Sequence, residues 1–254
     1  MILNHSTDLD YIPSRIVSLV PSQTELLHYI GLNKEIIGIT KFCLHPVEWF
    51  KTKTRIGGTK NIDIEKVIQL NPDLIIANKE ENTREQIMAL SKNFNIWVTD
   101  INNLQDALIM IKDIGQLTGK MEGTRILIEK IKENFTVIAK KSCLIPSVYL
   151  IWKEPFMTVG GDTYISNLML QAGFKNVFSQ LKRYPIVTTA EIIILNPALL
   201  FLSTEPYPFN AGHVEEMQKS MPGIKVVLVD GEMFSWYGSR LLLVPDYFQK
   251  LMSE

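Results

Sequence analysis

The chain has 254 residues, 46% hydrophobic and 21% charged, which suits one or two globular domains and is the composition of a globular rather than a disordered chain. Its 26 Lys and Arg nearly balance 27 Asp and Glu, so no basic surplus argues for nucleic acid and no acidic excess for a polycation partner. No apolar run reaches the roughly 20 residues of a membrane helix. The N-terminus also lacks the basic and apolar regions of a secretory leader, so the sequence as given predicts no export address.

In chain order, residues 15–20 (RIVSLV) read as a short β-branched strand. Ser22 with Glu25 has the spacing of a capping box, opening a helix that stops at Gly31. A strand over 36–40 follows, then a polar loop over 52–59 containing Gly57 and Gly58. Residues 63–70 form a short helix stopped by Asn71-Pro72, and 74–77 (LIIA) a strand. A helix over 83–94, a strand over 96–98 and a helix over 104–117 complete the first half. Connections too long for hairpins predict a mostly parallel sheet.

The stretch 120–141 (KMEGTRILIEKIKENFTVIAKK) has no proline, and Leu127, Ile131, Phe135 and Ile138 recur at helical spacing. This predicts one long amphipathic helix between two α/β halves. The same grammar then repeats: a strand over 147–152, a helix over 163–172, a short helix over 189–195 stopped by Asn196-Pro197, and a strand over 199–203. A short helix near 214–220, a strand over 225–229 and a final helix over 239–252, broken near Pro245, end the chain. DIEKVIQLNPDLIIA (63–77) and TTAEIIILNPALLFLS (188–203) share helix, Leu-Asn-Pro and strand, which favours two similar lobes over one continuous sheet.

Signatures of nucleotide binding and of the hydrolase elbow are absent. Cys43 and His45 share a loop as a nucleophile–base pair or two metal ligands, but a third partner cannot be named, and a buried cysteine is the plainer reading. Cys43 and Cys143 lie a hundred residues apart and read as two isolated thiols. In Thr158-Val-Gly-Gly-Asp-Thr163, Asp162 or Thr163 caps a helix whose free amides suit an anionic group, or the glycines simply permit a tight turn. Aromatic residues fall at strand ends and loops: Phe42, Trp152, Phe156, Tyr184, Tyr207, Trp236 and Tyr237. In open α/β sheets ligands sit outside the carboxyl ends of strands, so these side chains either grip a large flat ligand or pack the core. Polar residues interrupt the apolar run from Phe234 to Arg240 as a site loop would.

These segments together resemble, in order and over nearly the whole chain, the cobalamin and iron-siderophore class of periplasmic binding proteins that serve ABC importers. The matching pieces are RIVSLVPSQTELLHYIGL, IGIT followed by His45-Pro46, IGGTKNIDIEKVIQLNPDLIIA, the central helix, TVGGDTYISNLMLQAGFKNVF and WYGSRLLLVP. The vitamin B12-binding branch is the nearest in pattern. The resemblance implies an α/β fold of two Rossmann-like lobes, residues 1–118 and 143–254, with mostly parallel sheets. One long rigid helix, 119–142, joins them and a ligand cleft lies between. It further implies ligand contacts from Phe42, Thr59, Lys60, Trp152, Phe156, Tyr184, Trp236, Tyr237 and Arg240. Thr59 and Asn78 stand where a cobalamin binder carries tryptophans. Glu65 matches a carboxylate that docks on the permease. In the second lobe, counting back from Pro197 gives Ala190, with Glu191 one position late.

On this reading the protein is not an enzyme, holds no cofactor, and carries a corrinoid or ferric siderophore as its transported ligand. Its partners are that ligand and the membrane subunits of an ABC permease, not nucleic acid, and it is a monomer. Its compartment is the periplasm by resemblance, or the cytoplasm by the missing leader. A second reading stands beside it: a cytosolic corrinoid-handling protein or α/β enzyme using Cys43 and His45 or the loop from Phe234 to Arg240.

Overall fold

Short apolar, β-branched runs, punctuated along the chain by Pro, Gly and Asn, produce alternating strands and helices. The computed structural model describes residues 1–3, 5–138 and 143–253. The chain falls into two units. Unit 1 holds Met1–Ile101, Gln105–Glu133 and Trp236–Leu242; unit 2 holds Asn102–Leu104, Asn134–Ser235 and Leu243–Glu254.

Unit 1 is built from β1 (Ile2–Leu3), β2 (Ile16–Ser18), α1 (Pro21–Tyr29), β3 (Ile36–Ile39), α2 (Val47–Thr52) and β4 (Thr54–Arg55). It continues with α3 (Ile64–Leu70), β5 (Leu74–Asn78), α4 (Arg84–Leu90), β6 (Ile96–Thr99), α5 (Leu104–Leu117) and α6 (Met121–Thr136). The six strands lie in the order β1-β6-β5-β2-β3-β4 and every pairing is parallel. Val17, Leu19, Ile75, Ala77 and Ile96 pack one face of this sheet against Val67 of α3 and Ile87 and Leu90 of α4.

The expected capping box at Ser22 and Glu25 does not form. Pro21 opens α1 after Val20, with no side-chain cap; proline at the first position has no N–H to satisfy, and the Glu25 carboxylate is engaged by Arg240 instead. Between α5 and α6, Gly119 takes a left-handed turn at φ 68°, and a Cβ on Gly115 would stand 2.0 Å from Thr124 Oγ1. Glycine at 115 is what lets the two helices approach so closely. The polar loop expected over 52–59 contains β4 and the last residue of α2. The central helix ends at Thr136 rather than Lys141; residues 139–142 of that expectation lie outside the described residues. Its face carries Leu127 and Ile131 buried, as the spacing predicts, while Arg125 pairs on the outside with Glu122 and Glu129. The helix carries the chain from unit 1 into unit 2 after Glu133.

Unit 2 comprises β7 (Ile145–Trp152), β8 (Met157–Thr158), α7 (Tyr164–Gln171), β9 (Phe174–Asn176) and α8 (Thr189–Leu195). β10 (Leu199–Ser203), α9 (Ala211–Ser220), β11 (Lys225–Val229), α10 (Glu232–Ser235) and α11 (Val244–Ser253) complete it. Its sheet runs β11-β10-β7-β8 with β9 also on β7; only β8 pairs antiparallel. Side chains alternate across it. Val148, Leu150, Leu200 and Leu202 pack with Ile192 of α8 and Met217 of α9. From the intervening positions, Tyr149 and Phe201 stack with Phe234, and Phe234 with Phe248. The expected final helix is two pieces: a 3-10 turn over Ser239–Leu242, grouped with unit 1, and α11, which starts one residue before Pro245.

The Leu-Asn-Pro echo is structural. Asn71 closes α3 at φ 43°, ψ 64° and Asn196 closes α8 at φ 45°, ψ 57°. In both units a left-handed asparagine ends a seven-residue helix and proline starts the path to the next strand.

Candidate functional site

In unit 1, β2 and β5 are neighbours, and the chain runs from β2 to β3 on one side and from β5 to β6 on the other, a switch point at whose carboxyl ends open α/β sheets bind ligands. Polar side chains gather there. Asn78 Nδ2 donates to Thr99 Oγ1 at 3.1 Å, and Gln23 Nε2 donates to the same hydroxyl at 2.7 Å. Asn78 Oδ1 accepts from the amides of Glu80 and Glu81 at 2.8 and 3.2 Å. Asn82 Nδ2 donates to the Thr59 carbonyl at 3.0 Å. In the sequence, Asn78 stands out only for the tryptophan it lacks. The signal missed is that polar residues end three neighbouring strands, Ser18, Asn78 and Thr99.

Phe42 follows β3 and is 50% exposed, with its ring against Gly58 and under the Lys41 ammonium at 5.1 Å. Thr59 is buried and Lys60 Nζ donates to the Glu80 carbonyl. Trp236, Tyr237 and Arg240 are also in unit 1, but all three are buried. Arg240 Nε and Nη2 donate to Glu25 at 3.1 and 2.7 Å, and its guanidinium lies 4.7 Å from the Trp236 ring. The His45 ring meets the Trp236 ring edge-on, 5.7 Å between centres. Burial pushes the Tyr237 hydroxyl well above its ordinary range, with Glu81 adding to the rise and hydrogen bonds from Ser22 and Gln23 opposing it.

Cys43 is fully buried between the Thr24 and Thr40 hydroxyls at 3.1 and 3.2 Å, and burial pushes its thiol up. A thiol in that state is a poor nucleophile. Cys43 and Cys143 are both free, and no group of three metal-ligating side chains occurs among the described residues.

In unit 2, Trp152 ends β7 and is 41% exposed. Tyr207 meets it edge-on at 5.6 Å and stacks in turn with Phe209 and His213. His213 belongs to a capping box with Asn210. Phe156 is half-buried against the core, and Tyr184 lies under the Arg183 guanidinium at 5.9 Å. The glycines of 158–163 answer to backbone approach: a Cβ on Gly160 would stand 2.5 Å from the Leu181 carbonyl oxygen, and one on Gly161 2.1 Å from that of Ser179. Thr163 caps α7, accepting from Ser166 N at 3.2 Å.

The two docking candidates differ in their surroundings. Glu65 is exposed at the second position of α3. The second position of α8 is Ala190. Glu191, at the third, accepts from Thr188 N and Oγ1 at 2.7 and 2.8 Å, which holds its carboxyl below the usual carboxylate range.

The sequence profile described as periplasmic binding protein matches residues 16–225. A vitamin B12-binding protein of Vibrio campbellii is 26% identical over 219 residues, covering 83% of this chain and 78% of its own. An uncharacterized ABC transporter substrate-binding lipoprotein of Bacillus subtilis is 26% identical over 261 residues, covering 94% and 82%. Among solved structures, the periplasmic vitamin B12 binding protein of Vibrio cholerae superposes with a TM-score of 0.80 at 20% identity, covering 95% of this chain and 99% of its own. The periplasmic heme binding protein of the same organism gives 0.80 at 17%, covering 94% and 99%. No described helix is long and apolar enough to cross a membrane. The strand-end polar and aromatic groups thus sit on the two-unit scaffold that the sequence led us to expect, and the chain belongs to the periplasmic binding protein family.

Proposed function

We propose that this protein is the solute receptor of an ABC importer, that its ligand is a corrinoid, and that it hands this ligand to a membrane permease as a monomer. The observation that carries the reading is the pairing, in one chain of this family, of exposed aromatic side chains with polar groups at the carboxyl ends of the parallel strands. Phe42 in unit 1 and Trp152 in unit 2 offer flat apolar surface, and Lys60, Phe156 and Tyr184 supply flanking contacts. A ferric siderophore or haem is the alternative cargo within the same role. The corrinoid is transported rather than kept, so no resident cofactor is assigned. Delivery to a permease places the protein outside the cytoplasmic membrane.

Glu65 is offered as the permease contact of unit 1. In unit 2 the capping role of Glu191 supports a different surface on α8, where Ile193 and Ile194 are 49% and 79% exposed. The burial of Cys43 weighs against a thiol enzyme.

The test is a tryptophan-fluorescence titration with cyanocobalamin, cobinamide, a ferric siderophore and hemin, corrected for ligand absorbance. Trp152 is the most exposed tryptophan, the other three being buried. Saturable quenching by a corrinoid that is lost in Trp152→Phe is the expected result. Binding of hemin or siderophore alone would overturn the corrinoid assignment, and no binding by any would overturn the receptor reading.

A further inference from the structure

Glu81 follows β5 at the same strand-end face of unit 1, and its carboxyl accepts none of the hydrogen bonds described above. Its backbone is fixed by the Asn78 side chain. The following residue locks it further: Asn78 N donates to Asn82 Oδ1 at 2.9 Å, while Asn82 Nδ2 reaches the Leu19 and Thr59 carbonyls at 3.4 and 3.0 Å. These bonds fix the Glu81 backbone at the end of β5, and its carboxyl lies beside Thr59, near Lys60, Tyr237 and Cys43.

Its side chain is half-buried and has no ion-pair partner among the described residues. The nearby Lys60 ammonium lowers its pKa from a distance but spends its hydrogen bond on the Glu80 carbonyl, and a hydrogen bond from Thr59 is its remaining support. Burial and Glu80 push the carboxyl up, while Tyr237 and Cys43, whose own ionisation Glu81 disfavours, add no positive charge. An ionised carboxylate accepts at about four positions, so most of the acceptor capacity of Glu81 is open. Gln23, whose side chain bonds Tyr237, offers a second buried acceptor in its Oε1, without a partner among the described residues. A partly desolvated carboxylate with open lone pairs binds N–H donors strongly and repels other carboxylates.

We propose that Glu81 is a ligand-anchoring residue that biases the site toward solutes presenting N–H donors, such as the peripheral carboxamides of a corrinoid, and against solutes presenting carboxylates, such as the propionates of haem. This inference rests on the receptor reading.

The experiment is calorimetric titration of wild type, Glu81→Gln and Lys60→Met with cobinamide and with hemin at neutral pH. Glu81→Gln keeps the shape and removes the charge; its melting temperature, at or above that of wild type, verifies folding. Glu81→Gln is expected to weaken cobinamide about tenfold, the loss of one charge-assisted hydrogen bond, and to leave hemin equal or tighter. Lys60→Met, which removes the compensating cation, is expected to bind hemin more weakly than wild type does. Wild-type binding of cobinamide that Glu81→Gln leaves unchanged overturns the role of Glu81 while the receptor reading stands. Absence of binding to wild type overturns both.

Discussion

The pair Arg240–Glu25 ties a segment near the end of the chain to α1, and its removal tests whether Arg240 holds the fold. The side chains are 9% and 22% exposed, and the guanidinium donates twice to one carboxylate. Removing one partner of a buried pair costs about 3–5 kcal/mol, mostly by stranding the other charge. Glu25 keeps some solvent, so Arg240→Met falls at the lower end, about 3 kcal/mol. For a domain of this size that is a drop in melting temperature of roughly 6–12 °C. Glu25→Leu strands the more deeply buried Arg240 and costs a similar amount. The double variant strands neither charge, so it loses less than either single one, a coupling of at least about 3 kcal/mol. Urea unfolding followed by Trp236, whose ring is 4.7 Å from the guanidinium, reports on this unit. Additive losses below about 1 kcal/mol each would refute the reasoning and return Arg240 to the ligand-contact role that the family resemblance implies.

One thiol, the exposed Cys143, should react with Ellman's reagent in the native protein, and buried Cys43 only after unfolding; two equally fast thiols would contradict the burial. Gly161→Ala places a methyl 2.1 Å from the Ser179 carbonyl oxygen and should cost about 1–3 kcal/mol; an unchanged urea midpoint would show that the 179–183 loop moves aside freely. Thr188→Ala removes the cap of α8, about 1 kcal/mol, and frees Glu191. Because the folded-state Glu191 pKa is lowered, its contribution is present above the unfolded carboxylate pKa of about 4 and lost as pH falls through the folded value. The stability gap between wild type and Thr188→Ala should therefore narrow in acid, and a constant gap would count against the carboxylate–threonine link.

The parallel sheets were legible because apolar runs and Asn-Pro stops are local signals. The helix Leu104–Leu117 and the strands Leu199–Ser203 and Lys225–Val229 fall where the pattern puts them. What the sequence concealed depends on distant partners. Ser22 and Glu25 have the spacing of a capping box, yet the helix already starts at Pro21, which puts Ser22 inside it, and Arg240, 215 residues away, takes the carboxylate. Short elements such as β8 and β9 were invisible because two or three residues carry no period, and they exist through pairing with β7. In the candidate site the aromatic residues stood out by type, while Glu81 did not. Its interest comes from partial burial without an ion pair, a property of the folded environment.

The grouping of Trp236–Leu242 with unit 1 also sets a clock on biosynthesis. α1 emerges from the ribosome early, but its partner Arg240 follows 215 residues later. At about 5–20 residues per second that wait is roughly 10–45 s. During it, unit 1 carries an unneutralised Glu25 and a face still open to water. The nascent first unit is therefore a substrate for holding factors until the last stretch of chain arrives to seal it, and a ribosome-bound fragment ending before Trp236 should remain protease-sensitive around α1.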